Sequence, residues 1–549
     1  IGIFQFSKSK MREYLSKLKP KNINDLAAMN ALYRPGPMKL IPDFIDKRHG
    51  KKPITYLHPI LENSLNETYG IIVYQEQVMQ IAREFAGFSM AEADNMRKAM
   101  GKKDKEIMKD VKAKFVKGSL EKKMSKKIAE ELFKLMEDFA DYGFNKSHGV
   151  AYSILAFYTA YLKAHFPLEF LSVSMECRKD DEVELQLFAN ECKKMKVDLK
   201  QPDVNLSIMD FSINYNKTDK YVGEIRYGLS ALKNVGEKAA INIVNERKEN
   251  GEYKSFVDFL IRVDLRLVNK KTIESLIHAG AFDSMEPNRN KLYLNSEAAA
   301  IYAGRHKNDA EVIGQESMFG AELTQPDGYR WREFEEYSDA EKFNKEKLAL
   351  GFYLTGHPLA KFEKEINQYV DLRFGDEVAE IDFTKVQKVR MAGVVTGVDV
   401  KLSKKGRRFV VFTLVDFTGD GECVAFSDLF EAKSHLFQNE ALVIVEGKPE
   451  ENGDKIKLTI EKIYPIESLH EICSKNMMLI LDEKTFDTSK LVKIHELVDA
   501  NEGNCNVFFQ IKNNGSSKIL RSRYNRVRPH SELISNLKQI VGEDNLKLN

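Results

Sequence analysis

The stretch from Val386 to Glu467 constrains the fold most, because its apolar residues change from a helical period to the alternation of β-strands. Five β-rich runs follow one another with turn residues between them, and a helix-like run, DLFEAKSHLF, separates the third from the fourth. Five strands with a helix between the third and the fourth is the arrangement of an OB-fold, a small closed barrel. We therefore predict an OB-fold over residues 386–467, with a small barrel of another topology as the alternative.

The chain before this barrel has helical patterns, and the chain after it is mixed. LKNVGEKAAINIVNER and its weaker echo, LVNKKTIESLIHAGAF, indicate two helix-hairpin-helix units in tandem, and the last 75 residues alternate strand-like with helix-like runs. The predicted fold class is multidomain: mainly α with a tandem helix-hairpin-helix domain, then a β-barrel OB-fold and a small α/β C-terminal domain. The predicted domains are a helical region (1–222), the hairpin domain (223–285), a polar linker (286–345), a connector (346–385), the barrel (386–467) and the α/β domain (468–549).

The segment YGFNKSHGVAYS, residues 142–153, begins a helix that is apolar nearly all round, and we predict that this helix is buried. Its first turn leaves backbone N–H groups without helical partners. Ser147 or Asn145 can cap these groups. A helix start that also carries Lys146 and His148 is alternatively an anion site, and phosphate is the usual anion. The residues alone leave both interpretations open.

Positive charge is concentrated in the first part of the chain. Residues 1–170 hold 29 Lys and Arg against 20 Asp and Glu, and Arg97 to Lys127 alone holds 13 basic and 4 acidic residues. Such a run fits a solvated helix face and also fits a phosphate backbone, whose counterions each bound cation releases.

Two further segments present basic residues in constrained positions. In ALYRPGPM, the prolines around Gly36 stiffen a loop that presents Arg34, and a single guanidinium on a rigid loop suits bidentate phosphate recognition. A structural turn in which Arg34 pairs with a carboxylate is the alternative. MRKAMGKK places four cations around a glycine at a helix end, where phosphate or solvent fits equally well: Arg97, Lys98, Lys102 and Lys103.

The hairpin and barrel segments carry their own candidate nucleic-acid contacts. Backbone N–H groups around Gly236 can hold a phosphate without reading base sequence, and Lys233 and Lys238 add charge; a hairpin that only packs is the alternative. The first barrel hairpin places cations beside Phe409 and Phe412, which is the composition of a single-strand binding surface, although we expect Phe412 in the core. These cations are Lys401, Lys404, Lys405, Arg407 and Arg408.

Five cysteines occur without CxxC spacing, which argues against a disulfide framework and a structural zinc site and suits a reducing, cytoplasmic compartment. No apolar run approaches the length of a membrane span, so we expect no membrane association.

LYRPGPM, TYGIIVYQEQVMQIA, MRKAMGKK and YGFNKSHGVAYS occur in an order and at spacings that closely resemble the fingers region of the alpha subunit of bacterial DNA polymerase III, the C-family replicative polymerase. The resemblance runs along essentially the whole chain, because the hairpin pair, LGFYLTGHPL, the barrel and the terminal domain follow in that family's order. It implies template-directed DNA synthesis by nucleotidyl transfer from a deoxynucleoside triphosphate (dNTP) to a primer 3′-hydroxyl in the intact protein.

The resemblance assigns the basic finger residues to the triphosphate or the primer-template: Arg34, Arg97, Lys98, Lys102, Lys103, Lys146 and His148. It also implies that the catalytic aspartates, which hold Mg²⁺, lie in a palm domain N-terminal to this sequence. No residue here is then a metal ligand or catalytic. We expect a C-terminal fragment, lacking the palm and the N-terminal phosphoesterase-like domain, that cannot polymerise alone.

The resemblance also implies protein partners. GQESMFG lies where this family carries its contact with the beta sliding clamp, which makes Gln315, Met318 and Phe319 the candidate anchors within residues 315–319. The terminal domain resembles the domain with which this family contacts the clamp-loader subunit, and other polymerase III holoenzyme subunits are expected partners. Primer-template DNA and single-stranded template are the expected nucleic acids.

Two other classes of protein fit parts of this sequence. A non-enzymatic DNA-binding adaptor tethered to a clamp would need the hairpins and the barrel but not the basic constellation of residues 30–150. A helix-hairpin-helix repair nuclease would need a metal-binding carboxylate cluster, which the sequence does not show.

Overall fold

The computed structural model describes residues 1–102, 105–140, 143–216, 223–316, 328–376, 378, 381–403, 406–453, 455–482, 487–513 and 516–549. The chain forms two compact units. The first comprises Ile1–Cys177, Glu191–Asp198 and Ile213–Ile225; the second comprises Arg178–Asn190, Leu199–Ser212 and Arg226–Asn549.

The first unit is helical, as predicted, and its core has two parts. One part lies among the helices of residues 61–139, and the other joins residues 6–45 to the middle of a long helix through Ala156. Its helices are α1 Ser9–Leu18, α2 Ile23–Leu32, α3 Ile41–Arg48, α4 Glu62–Leu65, α5 Gln75–Ala86, α6 Met90–Lys102, α7 Lys105–Glu121, α8 Lys126–Ala140, α9 Lys146–His165 and α10 Pro167–Glu176.

The prediction that α9 is buried on all sides is wrong. The helix lies against α2 through its small residues Gly149, Ser153 and Ala156, which are buried, and Asn30 donates to Ser153 Oγ at 2.9 Å. The bulky residues stand on the other sides, where Tyr158 is 58% exposed and Phe157 48%. Small residues let two helices approach closely, so the helix faces its partner with these residues and not with its aromatic ones.

Residues 178–226 are divided between the two units and form α11 Glu182–Lys194, β1 Asp198–Lys200, β2 Ser212–Tyr215 and β3 Gly223–Arg226. The helical part of the second unit follows, with α12 Glu237–Asn250, α13 Phe256–Arg262, α14 Lys270–His278, α15 Arg289–Glu316, α16 Asp339–Leu350 and α17 Glu363–Tyr369.

The described part of the stretch predicted as a linker contains helix and packs on the hairpin helices. Helix α15 is 28 residues long and contacts α13 and α14, with Leu292, Ala299 and Ala303 buried. The ring of Trp331 lies 6.3 Å from that of Phe256 in α13.

The predicted OB-fold is confirmed, since its five strands close into a barrel in the order β4-β5-β6-β8-β7. The pair β6–β8 is parallel and the other pairs are antiparallel. The elements are β4 Val389–Leu402, β5 Arg408–Val415, β6 Asp420–Ala425, α18 Ser427–Lys433, β7 Leu442–Asn452 and β8 Lys455–Pro465. Helix α18 therefore separates the third strand from the fourth, as expected.

The C-terminal α/β domain is also confirmed. It contains a four-stranded sheet in the order β11-β10-β9-β12, with a parallel β9–β10 pair. Its elements are α19 Leu469–Cys473, β9 Asn476–Asp482, α20 Thr488–Ala500, β10 Glu502–Asn513, β11 Ser516–Val527, α21 Ser531–Val541 and β12 Leu546–Leu548. Within the described ranges, no helix combines the length and the apolar character needed to cross a membrane.

Candidate nucleic-acid interface

The starts of α5 and α9 meet in the first unit. Tyr74 and Phe144 form a parallel β-bridge, and the backbone N–H of Gln75 donates to the Phe144 carbonyl at 2.9 Å. The Gln75 side chain also donates to the Gly143 carbonyl at 3.1 Å. We call this place, residues 74–76 with 143–146, the α5–α9 junction.

A buried glutamine fixes the α5 side of the junction. Gln77 is 2% exposed, and its side-chain oxygen accepts from the N–H groups of Val73 and Tyr74 at 2.8 and 2.9 Å. Its amide nitrogen donates to the Ser64 carbonyl and to Thr68 Oγ1 at 3.1 and 2.7 Å. This network holds the helix start in place, and the sequence analysis did not single out Gln77. The signal in the sequence is weak, because a capping box has Ser or Thr at the N-cap and this helix has Tyr74 there.

The first turn of α9 is capped by a side chain and also carries a carboxylate. The Asn145 side chain accepts from His148 N at 2.9 Å, so the capping interpretation describes this contact. The Glu76 carboxylate accepts from Lys146 N at 3.0 Å and from the Asn145 amide at 2.9 Å. An anion therefore already occupies this helix N-terminus, and that anion is an internal carboxylate.

Lys146 extends from the same turn into a second acidic contact. Its Nζ lies 2.8 and 2.7 Å from the two carboxylate oxygens of Glu67, and 5.9 Å from the centroid of the Tyr74 ring. The side chain is 35% exposed, so solvent or a ligand can reach this ion pair.

Arg34 reaches the junction from the loop after α2. Gly36 has φ 100°, which favours glycine, and Pro37 begins the following 3₁₀ turn, so the loop bends sharply behind Arg34. The Arg34 Nε donates to the Ala31 carbonyl at 3.0 Å, and its guanidinium lies 4.4 Å from the centroid of the Phe144 ring. Partial burial lowers the pKa of Arg34, the direction expected when a cation loses water.

His148 belongs to a row of rings beside Arg34. Its ring lies 5.4 Å from that of Phe144 and 4.1 Å from that of Tyr152, which in turn lies 5.3 Å from Phe4. The exposed imidazole edge is thus held in position by aromatic contacts on both sides.

Helix α6 adds Arg97, whose guanidinium donates to the Gln75 side chain at 3.2 Å and to Asp94 at 2.8 and 3.0 Å. Lys98 is mostly exposed and pairs with the same Asp94 carboxylate at 2.7 Å. Lys102 is the last residue of α6, while Lys103 lies outside the described residues.

The structure therefore brings Arg34, Arg97, Lys146 and His148 to one junction, although they come from three separate segments. The carboxylate partners of Lys146 and Arg97, which are Glu67, Glu76 and Asp94, were not found by sequence reasoning.

The glycine in the turn of the first helical hairpin is exposed. Gly236 precedes α12, and nothing lies within 4 Å of the position that a Cβ atom would occupy there. Lys238 is exposed, and Lys233 pairs with Glu182 at 2.7 Å. A cavity of about 470 Å³ lies beside the turn and is lined in part by Lys179, Ser230, Lys233, Asn234 and Gly236.

The second hairpin supports the first. In α14, Thr272 donates to the Asn234 carbonyl at 2.8 Å, and Ser275 Oγ accepts from the Asn234 side chain at 3.2 Å. Asn234 has φ 62°, a left-handed conformation that these contacts hold. The second repeat thus stabilises the turn of the first.

In the barrel, Phe412 is 1% exposed and belongs to the core, as expected. Arg407 and Arg408 are exposed at the first turn, and Arg407 donates to Asp428 at 3.0 Å. Lys404 and Lys405 lie outside the described residues, as do Met318 and Phe319. Gln315 lies in the last turn of α15.

Among the residues that the structure describes, no group of three or more His, Cys, Asp or Glu side chains is placed to hold a metal ion.

In comparisons with known proteins, successive parts of the chain match successive domain models. Residues 1–123 match the model of the bacterial DNA polymerase III alpha subunit finger domain, residues 196–292 a helix-hairpin-helix motif, and residues 389–466 an OB-fold nucleic acid binding domain. The DNA polymerase III subunit alpha of Borreliella burgdorferi is 37% identical over 99% of this chain and 47% of its own length. The subunit of Aquifex aeolicus is 35% identical over 91% of this chain and 41% of its own length. The subunit of Escherichia coli K12 is 31% identical over 100% of this chain and 48% of its own length. The chain spans about half the length of the curated relatives it matches.

Proposed function

Because this chain belongs to the family of bacterial DNA polymerase III alpha subunits, we propose that it supplies the nucleotide- and DNA-binding part of a replicative DNA polymerase. The reaction of the intact protein is nucleotidyl transfer from a dNTP to a primer 3′-hydroxyl, directed by a template. The α5–α9 junction binds the triphosphate or the adjacent primer-template phosphate.

The observation that carries this proposal is the convergence of Arg34, Arg97 and Lys146 on the α5–α9 junction. A triphosphate presents several negative charges on adjacent oxygens, and cations held in fixed positions stabilise it without reorganising. Phosphoryl-transfer enzymes depend on such positioning and charge neutralisation. The carboxylates of Glu67 and Glu76 hold the lysine and the helix start in the unliganded chain, and a phosphate competes with them for the same donors.

Magnesium has no proposed ligand in this chain. We place the Mg²⁺-binding aspartates in the palm, a domain outside this sequence, and the chain alone is then inactive. Its residues bind and orient substrate, while the metal, when bound by the palm, activates the primer hydroxyl and stabilises the leaving pyrophosphate.

The remaining domains hold DNA and partners. The N–H groups after Gly236, with Lys233 and Lys238, bind duplex phosphates, and the barrel binds single-stranded template through its basic first turn. The turn cations are Lys404, Lys405, Arg407 and Arg408. Gln315, Met318 and Phe319 tether the polymerase to the beta sliding clamp in the cytoplasm, and the terminal domain contacts the clamp-loader subunit among the other holoenzyme subunits.

The experiment is steady-state primer extension by the full-length product of the gene, comparing wild type with Arg34→Ala. The control is Lys52→Ala, which removes an exposed lysine that pairs with Asp43 and Asp46 away from the junction. A nucleotide KM raised several-fold or a large fall in kcat in Arg34→Ala alone, with unchanged primer-template affinity, supports the proposal. Unchanged kinetics in Arg34→Ala would contradict a role of this residue in nucleotide binding, and absence of primer extension by wild type would instead favour the non-enzymatic DNA-binding adaptor.

A further inference from the structure

One aromatic side chain of the barrel stands outside its core. Phe426 follows β6 directly and is 60% exposed. The next phenylalanine of this segment, Phe430, turns inward instead, where its ring lies 5.7 Å from Phe437, which lies 5.5 Å from Phe412. The core is therefore closed without Phe426.

The strand register places Phe426 beside a second aromatic residue on the outer face. Val410 pairs with Ala425, so the next step of this antiparallel ladder sets Phe426 opposite Phe409. Side chains alternate along β5, and Val410 and Phe412 are buried, so Phe409 faces outward, where it is half-buried. Phe409 in turn pairs with Lys401 of β4. Lys401, Phe409 and Phe426 thus form one row across three strands, which we call the outer row.

Positive charge borders this row. The ion pair of Arg407 with Asp428 at 3.0 Å connects the β4–β5 turn to the first residues of α18, two positions after Phe426. Arg408 is exposed, and Lys401 is 50% exposed with Asp399 at 3.3 Å. An exposed ring with flanking cations complements a strand of unpaired bases, whose flat faces stack while the phosphates meet the cations. A duplex hides those faces, so it does not fit this row.

We propose that Phe426, supported by Phe409, is a stacking surface for one base of single-stranded DNA that crosses the outer face of β4, β5 and β6. The inference rests on the proposed single-strand binding by the barrel, and it adds the residue that contacts a base. Arg407, Arg408 and Lys401 then hold the neighbouring phosphates.

The test uses the whole 549-residue chain and a fluorescently labelled oligothymidylate, with affinity measured at several salt concentrations. Phe426→Ala is expected to bind roughly 5- to 150-fold more weakly, the range of one lost base–aromatic stack. Its salt dependence is expected to match that of wild type, because the ring neutralises no phosphate, whereas Arg408→Ala is expected to lower the slope by about 0.7. Phe334→Ala, which removes an exposed phenylalanine outside the barrel, is the control and is expected to bind normally.

A second readout does not depend on the alanine variant. Phe426→Trp retains a ring at this position, so it is expected to bind as wild type does and to lose indole emission when the oligonucleotide binds. Phe426→Leu, which retains apolar area without a ring, is expected to bind as weakly as the alanine variant.

Absence of oligothymidylate binding by wild type would overturn the proposed role of the barrel together with this inference. Normal binding by Phe426→Ala, or indole emission in Phe426→Trp that binding does not change, would overturn the inference alone. Equal affinity of the leucine and tryptophan variants would also overturn it, since apolar contact and not stacking would then account for the effect.

Discussion

The carboxylate of Glu76 lies 3.0 Å from the backbone nitrogen of Lys146, at the first turn of α9. A helix N-terminus carries partial positive charge and unsatisfied N–H groups, and this chain supplies its own anion to them. The positive end of this helix is therefore compensated internally, and we expect an added phosphate to compete with Glu76 and Glu67.

Because of this competition, one substitution at Glu76 is expected to lower the stability of the chain and to strengthen its binding of phosphate. Glu76→Gln removes the charge at the helix start and is expected to cost about 0.3–1 kcal/mol of stability. The same change is expected to strengthen binding of inorganic tripolyphosphate, since the competing charge is gone. Urea denaturation and isothermal titration measure the two effects, with Glu62→Gln, an exposed residue of α4, as the control. Weaker tripolyphosphate binding by Glu76→Gln would contradict the competition.

Gln77 is polar, but we expect it to contribute strongly to the free energy of unfolding. Gln77→Leu leaves the Val73 and Tyr74 N–H groups and the Ser64 carbonyl without this partner, and each buried unsatisfied group costs about 1–3 kcal/mol. We expect a total loss of about 2–4 kcal/mol, because such costs are not additive. The midpoint of urea unfolding measures it. Gln80→Leu in the same helix, which breaks only a contact with Glu84, is expected to have a small effect, and equal effects would contradict the network.

Because the space beside Gly236 is open, a substitution there can distinguish a role in DNA binding from a role in packing. Its φ is −68°, and a Cβ would meet nothing within 4 Å, so Gly236→Ala is expected to change stability by no more than about 1 kcal/mol. The added methyl group stands where a phosphate would approach, so duplex DNA affinity is expected to fall.

The matched control for this substitution is Gly304→Ala, because Gly304 also has nothing within 4 Å but lies within α15. It is expected to retain wild-type affinity for a duplex in a gel-shift or anisotropy assay. If Gly236→Ala binds duplex as tightly as this control, the hairpin only packs.

Stability is expected to depend on pH through His278. Burial, with Lys345 and Arg289 nearby, lowers the pKa of this imidazole to about 4. Because the unfolded chain binds the proton near pH 6.5 and the folded chain does so only near pH 4, this contribution to stability is present above about pH 6.5 and is lost as the pH falls toward 4.

The measurement is the unfolding midpoint of wild type and His278→Phe between pH 7 and 4. The variant cannot bind this proton, so its midpoint is expected to fall less across that window. Parallel curves for the two proteins would contradict the assignment.

The fold could largely be predicted because its strongest signals are local. The alternation along Phe409 to Val415 and the turn residues between strands predict the barrel, and the apolar turn at Val235 predicts the hairpin. The burial of α9 could not be predicted from its overall apolar character. Its buried side is marked by Gly149, Ser153 and Ala156, which recur at helical spacing, and that pattern of small residues was the available signal.

Only the cations of the candidate site could be predicted from the sequence. Its cations occur in short motifs, so Arg34 and Lys146 could be found in the sequence. Their environment depends on residues far along the chain: Glu76 lies 69 positions from Asn145, and Glu67 lies 79 from Lys146. No local pattern pairs such residues, because only the packing of α5 against the start of α9 brings them together.

Nucleotide binding at the α5–α9 junction can be tested directly by kinetics. The measurement is the nucleotide KM in primer extension by the full-length protein, for Lys146→Ala and for Glu67→Gln. Loss of the lysine is expected to raise KM about 10-fold or more, the value of a charge-assisted hydrogen bond, and Glu67→Gln is expected to lower it by freeing the lysine. Primer-template affinity is expected to stay constant in both. An unchanged KM in both variants, with or without a loss of DNA affinity, would contradict the account.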